Sequence, residues 1–83
     1  MAHLGIDGFP RNKDADELIS KNVKSLFLTE NGQEVLRYLR SVTIEAVAGG
    51  GISDAELRHL EGQRYLMALI ERRIQHAERL ANE

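Results

Sequence analysis

The chain has 83 residues and no cysteine, and eleven Lys and Arg against thirteen Asp and Glu give a formal net charge of −2. This composition excludes disulfide bonds and thiolate metal sites, and it provides no net positive field that would attract DNA. A domain of this size buries roughly 63% of the surface that its unfolded chain exposes, so a monomer is marginally stable. We therefore expect helix pairing or self-association to supply additional stability.

In the first segment of the chain the apolar residues follow no helical or strand periodicity, and structure-breaking Gly and Pro residues interrupt it. This pattern predicts an N-terminal extended arm over residues 1–13. A single helical domain then covers residues 14–83. The arm contains Leu4, Ile6 and Phe9, which are too apolar for a tail that makes no contacts. They either cover the core of their own domain or dock on a neighbouring subunit. No apolar run reaches membrane-spanning length and no signal-peptide core is present, so we expect no membrane contact.

Two helices are predicted in the first half of the domain. Acidic residues favour the start of the first helix at Asp14, and a 3–4 spacing of apolar residues carries it to near Leu28. Thr29 is the predicted N-cap of the second helix, which continues to about Val47 before three consecutive glycines end it. The apolar residues that carry these two patterns are Leu18, Ile19, Val23, Leu26 and Phe27, followed by Val35, Leu36, Leu39, Val42, Thr43, Ala46 and Val47.

A capping box from Ser53 to Glu56 predicts the start of a third helix, which continues to about Leu80. At 1.5 Å per residue this helix is roughly 40 Å long, so its end projects beyond the second helix. We therefore predict an all-α fold of three helices. Helix 2 and the long helix 3 form an antiparallel hairpin, and helix 1 packs across it.

Two residues in the apolar stripe of the third helix require an explanation. Gly62 costs roughly 1 kcal/mol relative to alanine, which we interpret as close approach of a second element. A local bend or a surface that a partner approaches are the alternatives. Arg64 needs a carboxylate partner, because an isolated buried charge is very costly. Glu61 has the i−3 spacing for such a pair, and Glu34 and Glu45 on the facing helix are the other candidates.

No pattern in the sequence is typical of an active site. His59 and His76 are roughly 25 Å apart on a straight helix, too far to share a metal ion. The acids of residues 14–17 have the spacing of helix initiation, and the glycines at 49–51 lack the strand and the Gly-Lys-Ser/Thr of a phosphate loop. We therefore predict no enzyme, no catalytic residue, no metal and no cofactor.

DNA binding is the alternative, because three-helix domains of this size often bind DNA. The connection at 49–52 has about the length of a helix-turn-helix turn. The third helix mixes charges along its exposed face, however, and acidic Glu71 and Glu78 flank the local cluster formed by Arg72 and Arg73. The alternative is therefore a small DNA-binding or regulatory protein similar to a terminase small subunit.

The segments LTENGQEVLRYLR and ELRHLEGQRYLMALIERRI resemble the Bordetella-phage protein-nineteen-like family of small tailed-bacteriophage proteins, over about residues 28–75. The matching residues are Thr29, Gly32 and Leu36 in the first segment, and Glu61, Gly62, Arg64, Leu69 and Ile74 in the second. The chain departs from the family pattern at its VAGGGIS connector and lacks a tryptophan in the second helix. The resemblance implies a protein encoded among phage head and tail genes, and it implies no enzymatic activity.

We therefore predict a non-enzymatic phage structural or assembly protein that binds protein surfaces, as a homo-oligomer or within a larger phage assembly. Its expected location is the host cytoplasm during assembly, or the virion. The arm and the projecting end of helix 3 are the predicted contact surfaces. The candidate structural and interaction residues are Leu4, Ile6, Phe9, Glu61, Gly62, Arg64, Arg72 and Arg73.

Overall fold

The computed structural model describes residues 3–83 and contains three α-helices, which confirms the predicted all-α class. Helix α1 covers Lys13–Phe27, α2 covers Glu30–Ser41 and α3 covers Asp54–Ala81. Strand-like pairing within the described residues is confined to an isolated bridge between Leu4 and Pro10. Within the same residues, no helix combines the length and the apolar character that crossing a membrane requires.

Each helix begins after a residue whose side-chain oxygen accepts a backbone N–H of the first turn. Such N-caps satisfy donors that have no partner within the helix. The predicted caps Thr29 and Ser53 are confirmed. The cap of α1 is Asn12, so this helix begins one residue before the predicted Asp14.

Helix α2 ends at Ser41, so the prediction that it continues to Val47 is wrong. The β-branched residues Val42, Thr43 and Ile44 follow directly, and such residues lose side-chain freedom in a helix. The Thr43 hydroxyl also donates to the Leu39 carbonyl oxygen at 2.6 Å, a local bond that competes with helical bonding. Residues 42–45 therefore form turns in place of another helical turn.

The main helix pair is α1 and α3, and α1 also contacts α2. The predicted hairpin of α2 and α3 is not confirmed. Polar side chains join α1 to α3, whereas α2 ends early and meets α3 through side chains near its C-terminus, including an ion pair between Arg40 and Glu71. Along the α1–α3 contact the residue numbers rise together, from Asp16 beside Arg73 to Ser20 beside His76.

A very short connection joins α1 to α2. The Thr29 hydroxyl donates to the Leu26 carbonyl oxygen at 2.9 Å and accepts the Gly32 N–H at 2.9 Å, so one side chain bridges both helices. A Cβ atom at position 32 would lie 2.2 Å from the Leu26 oxygen. The close approach of the two helix ends therefore requires glycine at this position.

The molecule is thin and extended, measuring 46 × 37 × 15 Å between Cα atoms, with a radius of gyration of 15.2 Å. A compact domain of this length has a radius of gyration of about 12 Å. Among the described residues, the apolar side chains that are buried belong to Met67 and Ala77. Three helices in this arrangement leave most of their apolar faces open to solvent.

Candidate interaction surface

The N-terminal segment folds back on itself and in this respect differs from the predicted extended arm. The backbone N–H of Gly5 donates to the Phe9 carbonyl at 2.8 Å, and that of Arg11 donates to the His3 carbonyl at 2.9 Å. Gly8 has a φ of 83°, a conformation that glycine adopts readily and other residues rarely. The arm is therefore a closed turn with a defined shape.

A buried guanidinium anchors this turn to the helices. Arg73 is 5% exposed and donates through Nη1 to the Asp16 carboxylate at 2.6 Å, the Asp16 carbonyl at 2.9 Å and the Ser20 hydroxyl at 3.0 Å. Its Nη2 donates to Asp7 at 3.1 Å. The prediction of an exposed cluster of Arg72 and Arg73 is therefore wrong for Arg73. We call the group formed by Arg73, Asp7, Asp16 and Ser20 the arm anchor.

Asp7 joins the turn to the anchor through several donors. Its carboxylate accepts from the Arg11 Nε at 2.9 Å and from the backbone N–H of Phe9 at 3.1 Å. The hydrogen bond from Arg11 holds the pKa of Asp7 well below its usual range, with further lowering by the Phe9 N–H and by the Arg73 charge, and burial opposes it. Asp7 is therefore held as a carboxylate between two arginines.

The arm anchor was missed because its members lie far apart in the sequence, with Asp16 and Arg73 separated by 57 positions. One signal was present. Arg73 follows Ile70 by three residues and precedes Ala77 by four, which places it on the apolar stripe of α3. Arg73 therefore occupies the apolar stripe as Arg64 does, and the cost of an unpaired buried charge predicts a paired, buried arginine at this position too.

Arg64 holds the connection between α2 and α3. It pairs with Glu61 at 2.8 Å, as the i−3 spacing predicts, and its Nε donates to the Thr43 carbonyl at 3.0 Å. Its Nη2 donates to the carbonyl of Ala46. The other predicted partners bond elsewhere, Glu34 to Arg37 and Glu45 to Arg40. The role of Arg64 in this chain is to bind the backbone of the turns that follow α2.

Gly62 lies in open space, where an added Cβ would meet no atom within 4 Å. The interpretation of a close helix contact at Gly62 is therefore wrong for contacts within this chain. Helix α1 bonds α3 at Arg73 and His76, about three turns further along, and leaves the face at Gly62 uncovered. A surface that a partner approaches stays open as an interpretation.

The apolar residues of the arm face solvent. Leu4 is 62% exposed and Phe9 is 59% exposed, so these two residues do not cover the core of their own domain. Ile6 is half-buried. The Arg11 guanidinium lies 5.7 Å from the centre of the Phe9 ring, within the range of a cation–π contact. The turn therefore presents an apolar surface with a fixed geometry.

A second apolar surface lies between the end of α2 with the turn that follows it and the middle of α3. It is an open groove of about 450 Å³. We call it the α2–α3 groove, and it is lined by Leu39, Val42, Thr43, Gln63, Leu66, Met67 and Ile70. Leu66 and Val42 are exposed at its surface, and none of the lining residues carries a charge. Several of these residues belong to the predicted apolar stripes, but an open surface between them was not predicted.

The structure thus brings the predicted site residues together in two places. Arg73 meets the arm of Leu4, Ile6 and Phe9 through Asp7, and Glu61 meets Arg64, whereas Arg72 remains exposed on α3. Within residues 3–83, no group of three or more His, Asp or Glu side chains has the arrangement of a metal site. Exposed apolar residues are present on the arm and in the α2–α3 groove.

A family model described as Bbp19-like phage protein matches residues 23–82. The match extends the resemblance seen in the sequence in both directions and covers the last five residues of α1, all of α2 and all of α3. The comparisons with curated proteins and with solved structures gave no match.

Proposed function

Because this chain belongs to the Bbp19-like phage protein family, we propose that it is a non-enzymatic structural or assembly protein that acts by binding protein surfaces. It works as a homo-oligomer or within a larger phage assembly, in the host cytoplasm during assembly or in the virion. The observation that carries the proposal is the imbalance between buried and exposed apolar residues. Met67 and Ala77 are the buried ones within residues 3–83, against thirteen exposed large hydrophobic residues.

The size of the exposed surface supports the same proposal. The chain exposes 6051 Å², whereas a compact monomer of its mass exposes about 5,000 Å². The excess is similar to the roughly 800 Å² per partner that a stable protein–protein interface buries. Covering it with a partner would give the chain the burial that it lacks alone.

The anchored arm supports a role in docking. The arm anchor holds the turn in place, so Leu4 and Phe9 are presented in a defined position. Ordered apolar side chains lose less conformational entropy on binding than those of a flexible tail. The arm is therefore suited to insert into an apolar site on a neighbouring subunit.

DNA binding is the alternative function, and the arm anchor weighs against it. The Arg73 charge is buried and shared between two carboxylates, so it is not available to a phosphate group. Arg72 then stands without the neighbour that would have formed a basic cluster on α3. Phosphate contacts require exposed cations that release counterions from the nucleic acid.

Light scattering on the purified chain at tens of micromolar tests the proposal. We expect a mass above 9.3 kDa, or co-purification with a capsid, portal or tail component. Removal of residues 1–11 should shift the distribution of masses. A monomer at every concentration that binds duplex DNA tightly, with a steep loss of binding as salt rises, would overturn the proposal in favour of the alternative.

A further inference from the structure

We infer that the α2–α3 groove is the surface through which two copies of this chain bind each other. The inference rests on the proposed function and adds to it the surface and the partner. Each copy would place its own groove against that of the other copy, around a two-fold axis. This arrangement is the commonest one in protein homo-oligomers.

The exposed apolar residues extend the groove into a continuous face. Leu66 on α3 is 60% exposed, Val42 directly after α2 is 45% exposed, and both line the same groove. Val35 and Tyr38 are also exposed and lie three residues apart on one face of α2. The backbone N–H of Val42 donates to the Tyr38 carbonyl oxygen at 3.3 Å, which keeps Val42 close to the end of that face. Large apolar side chains grouped in this way on a surface mark interaction sites.

The charge of the groove indicates which partner it fits. In a two-fold interface the same patch meets itself, so a charged patch would meet like charge and be repelled. The seven lining residues of the groove carry no charge, and Thr43 and Gln63 are neutral polar residues. A second copy is therefore electrostatically acceptable. An acidic or a basic partner would find no complementary charge in the lining of the groove.

The arm of the same chain is already bound elsewhere. Its Asp7 is held by Arg11 and by Arg73 of the arm anchor, and its backbone closes the turn through the Gly5–Phe9 hydrogen bond. The whole chain exposes 6051 Å², about 1,000 Å² more than a compact monomer of its mass, and one side of a standard interface buries roughly 800 Å². A second copy thus supplies the cover that the chain itself does not.

Two matched lysine substitutions test this surface. Leu66→Lys places a charge in the groove of both copies, whereas Leu26→Lys places the same charge on α1 at a residue of similar exposure, 63% against 60%. We expect Leu66→Lys to weaken self-association at least tenfold, because each copy would bury an unpaired ammonium group facing the same charge, and Leu26→Lys to leave it nearly unchanged. Sedimentation equilibrium gives both constants, and circular dichroism checks that the helices are retained.

Thiol labelling gives a second measurement that does not disturb the apolar character of the groove. The chain has no cysteine, so Leu66→Cys and Leu26→Cys each introduce a single thiol. We expect the thiol at position 66 to react more slowly with a maleimide as the protein concentration rises, because association covers it. The thiol at position 26 should react at a rate that does not depend on concentration.

The outcomes separate this inference from the proposed function. If self-association survives Leu66→Lys and the labelling rate at position 66 is constant, the groove is not the surface of self-association. The proposed function would be unaffected by that result. A monomeric chain that captures a capsid, portal or tail component, and loses it on Leu66→Lys, would overturn the second copy as the occupant. A monomeric chain that binds only duplex DNA would overturn both.

Discussion

Gly32 and Gly62 both lie inside helices, yet their surroundings are opposite. A Cβ atom at position 32 would lie 2.2 Å from the Leu26 carbonyl oxygen and 2.8 Å from the Phe27 Cα, both backbone atoms. At position 62 it would meet nothing within 4 Å. The same substitution at these two positions should therefore change the free energy of unfolding in opposite directions.

Gly62→Ala should stabilise the monomer. Alanine gains helix propensity worth up to about 1 kcal/mol, and the added methyl group meets no other atom. For a domain of this size that gain raises the melting temperature by roughly 4–8 °C. Thermal melting in dilute solution measures it. A lower melting temperature that appears only in concentrated solution would instead reveal a contact between copies at this position.

Gly32→Ala should destabilise the chain, because the junction of α1 and α2 must open to admit the methyl group. The clash is with backbone, so no side-chain rotation relieves it. Overpacking of this kind costs about 1–3 kcal/mol, more than the propensity gain returns. Urea unfolding followed by circular dichroism measures the loss. An unchanged midpoint would show that Thr29 does not hold the two helix ends as closely as described.

At the scale of helices, the arm anchor joins α1, α3 and the turn through one arginine. Arg73→Met should destabilise the chain by about 3–5 kcal/mol, since it leaves the Asp16 carboxylate buried without a cation. Arg72→Met is the matched control on the adjacent exposed residue and should change stability by less than about 0.5 kcal/mol. Urea unfolding measures the free energy of unfolding of both variants. Equal losses for the two would contradict the burial of Arg73 in the arm anchor.

The attachment of the arm should depend on pH through Asp7. Its pKa is depressed in the folded chain, so its carboxylate stabilises the fold fully above the unfolded pKa of about 3.9. This contribution declines below that value and is lost as the pH falls through the depressed pKa of the folded chain. Unfolding midpoints of the unmodified chain and Asp7→Asn should therefore differ most at about pH 6, and the difference should shrink steadily between about pH 4 and pH 2. A difference that stays constant over this range would show that Asp7 acts through its shape and not through its charge.

Local signals predicted more of the helices than of their packing. Thr29 and Ser53 were predictable as caps because a cap acts over three residues. The end of α2 was not, because a long apolar pattern outweighed the β-branched run after Ser41. The pair of Asp16 and Arg73 was not predictable as a pair, since spacing along the chain carries no information on contacts over 57 positions. The predicted packing of helix 1 against the other two helices is confirmed, whereas the hairpin of helices 2 and 3 is not confirmed.

At the scale of the whole molecule, the thin shape makes stability depend on concentration. If copies associate through exposed apolar surface, association stabilises the folded state by mass action. We expect the melting temperature of the unmodified chain to rise with protein concentration and that of Leu66→Lys to rise much less. Calorimetry over a hundredfold range of concentration measures this. A melting temperature independent of concentration would indicate that the folded chain is stable without a second copy.

The arm anchor also sets an order of events during synthesis. Asp7 and Asp16 leave the ribosome early, but Arg73 follows Asp7 by 66 positions, so the first segment to be made is among the last to be fixed. The junction around Thr29 needs only neighbouring residues and can form sooner, because closing a short loop costs less entropy. An oriented arm is thus a property of chains whose α3 is already complete. A partner that binds the oriented arm would accept finished molecules and pass over partial ones.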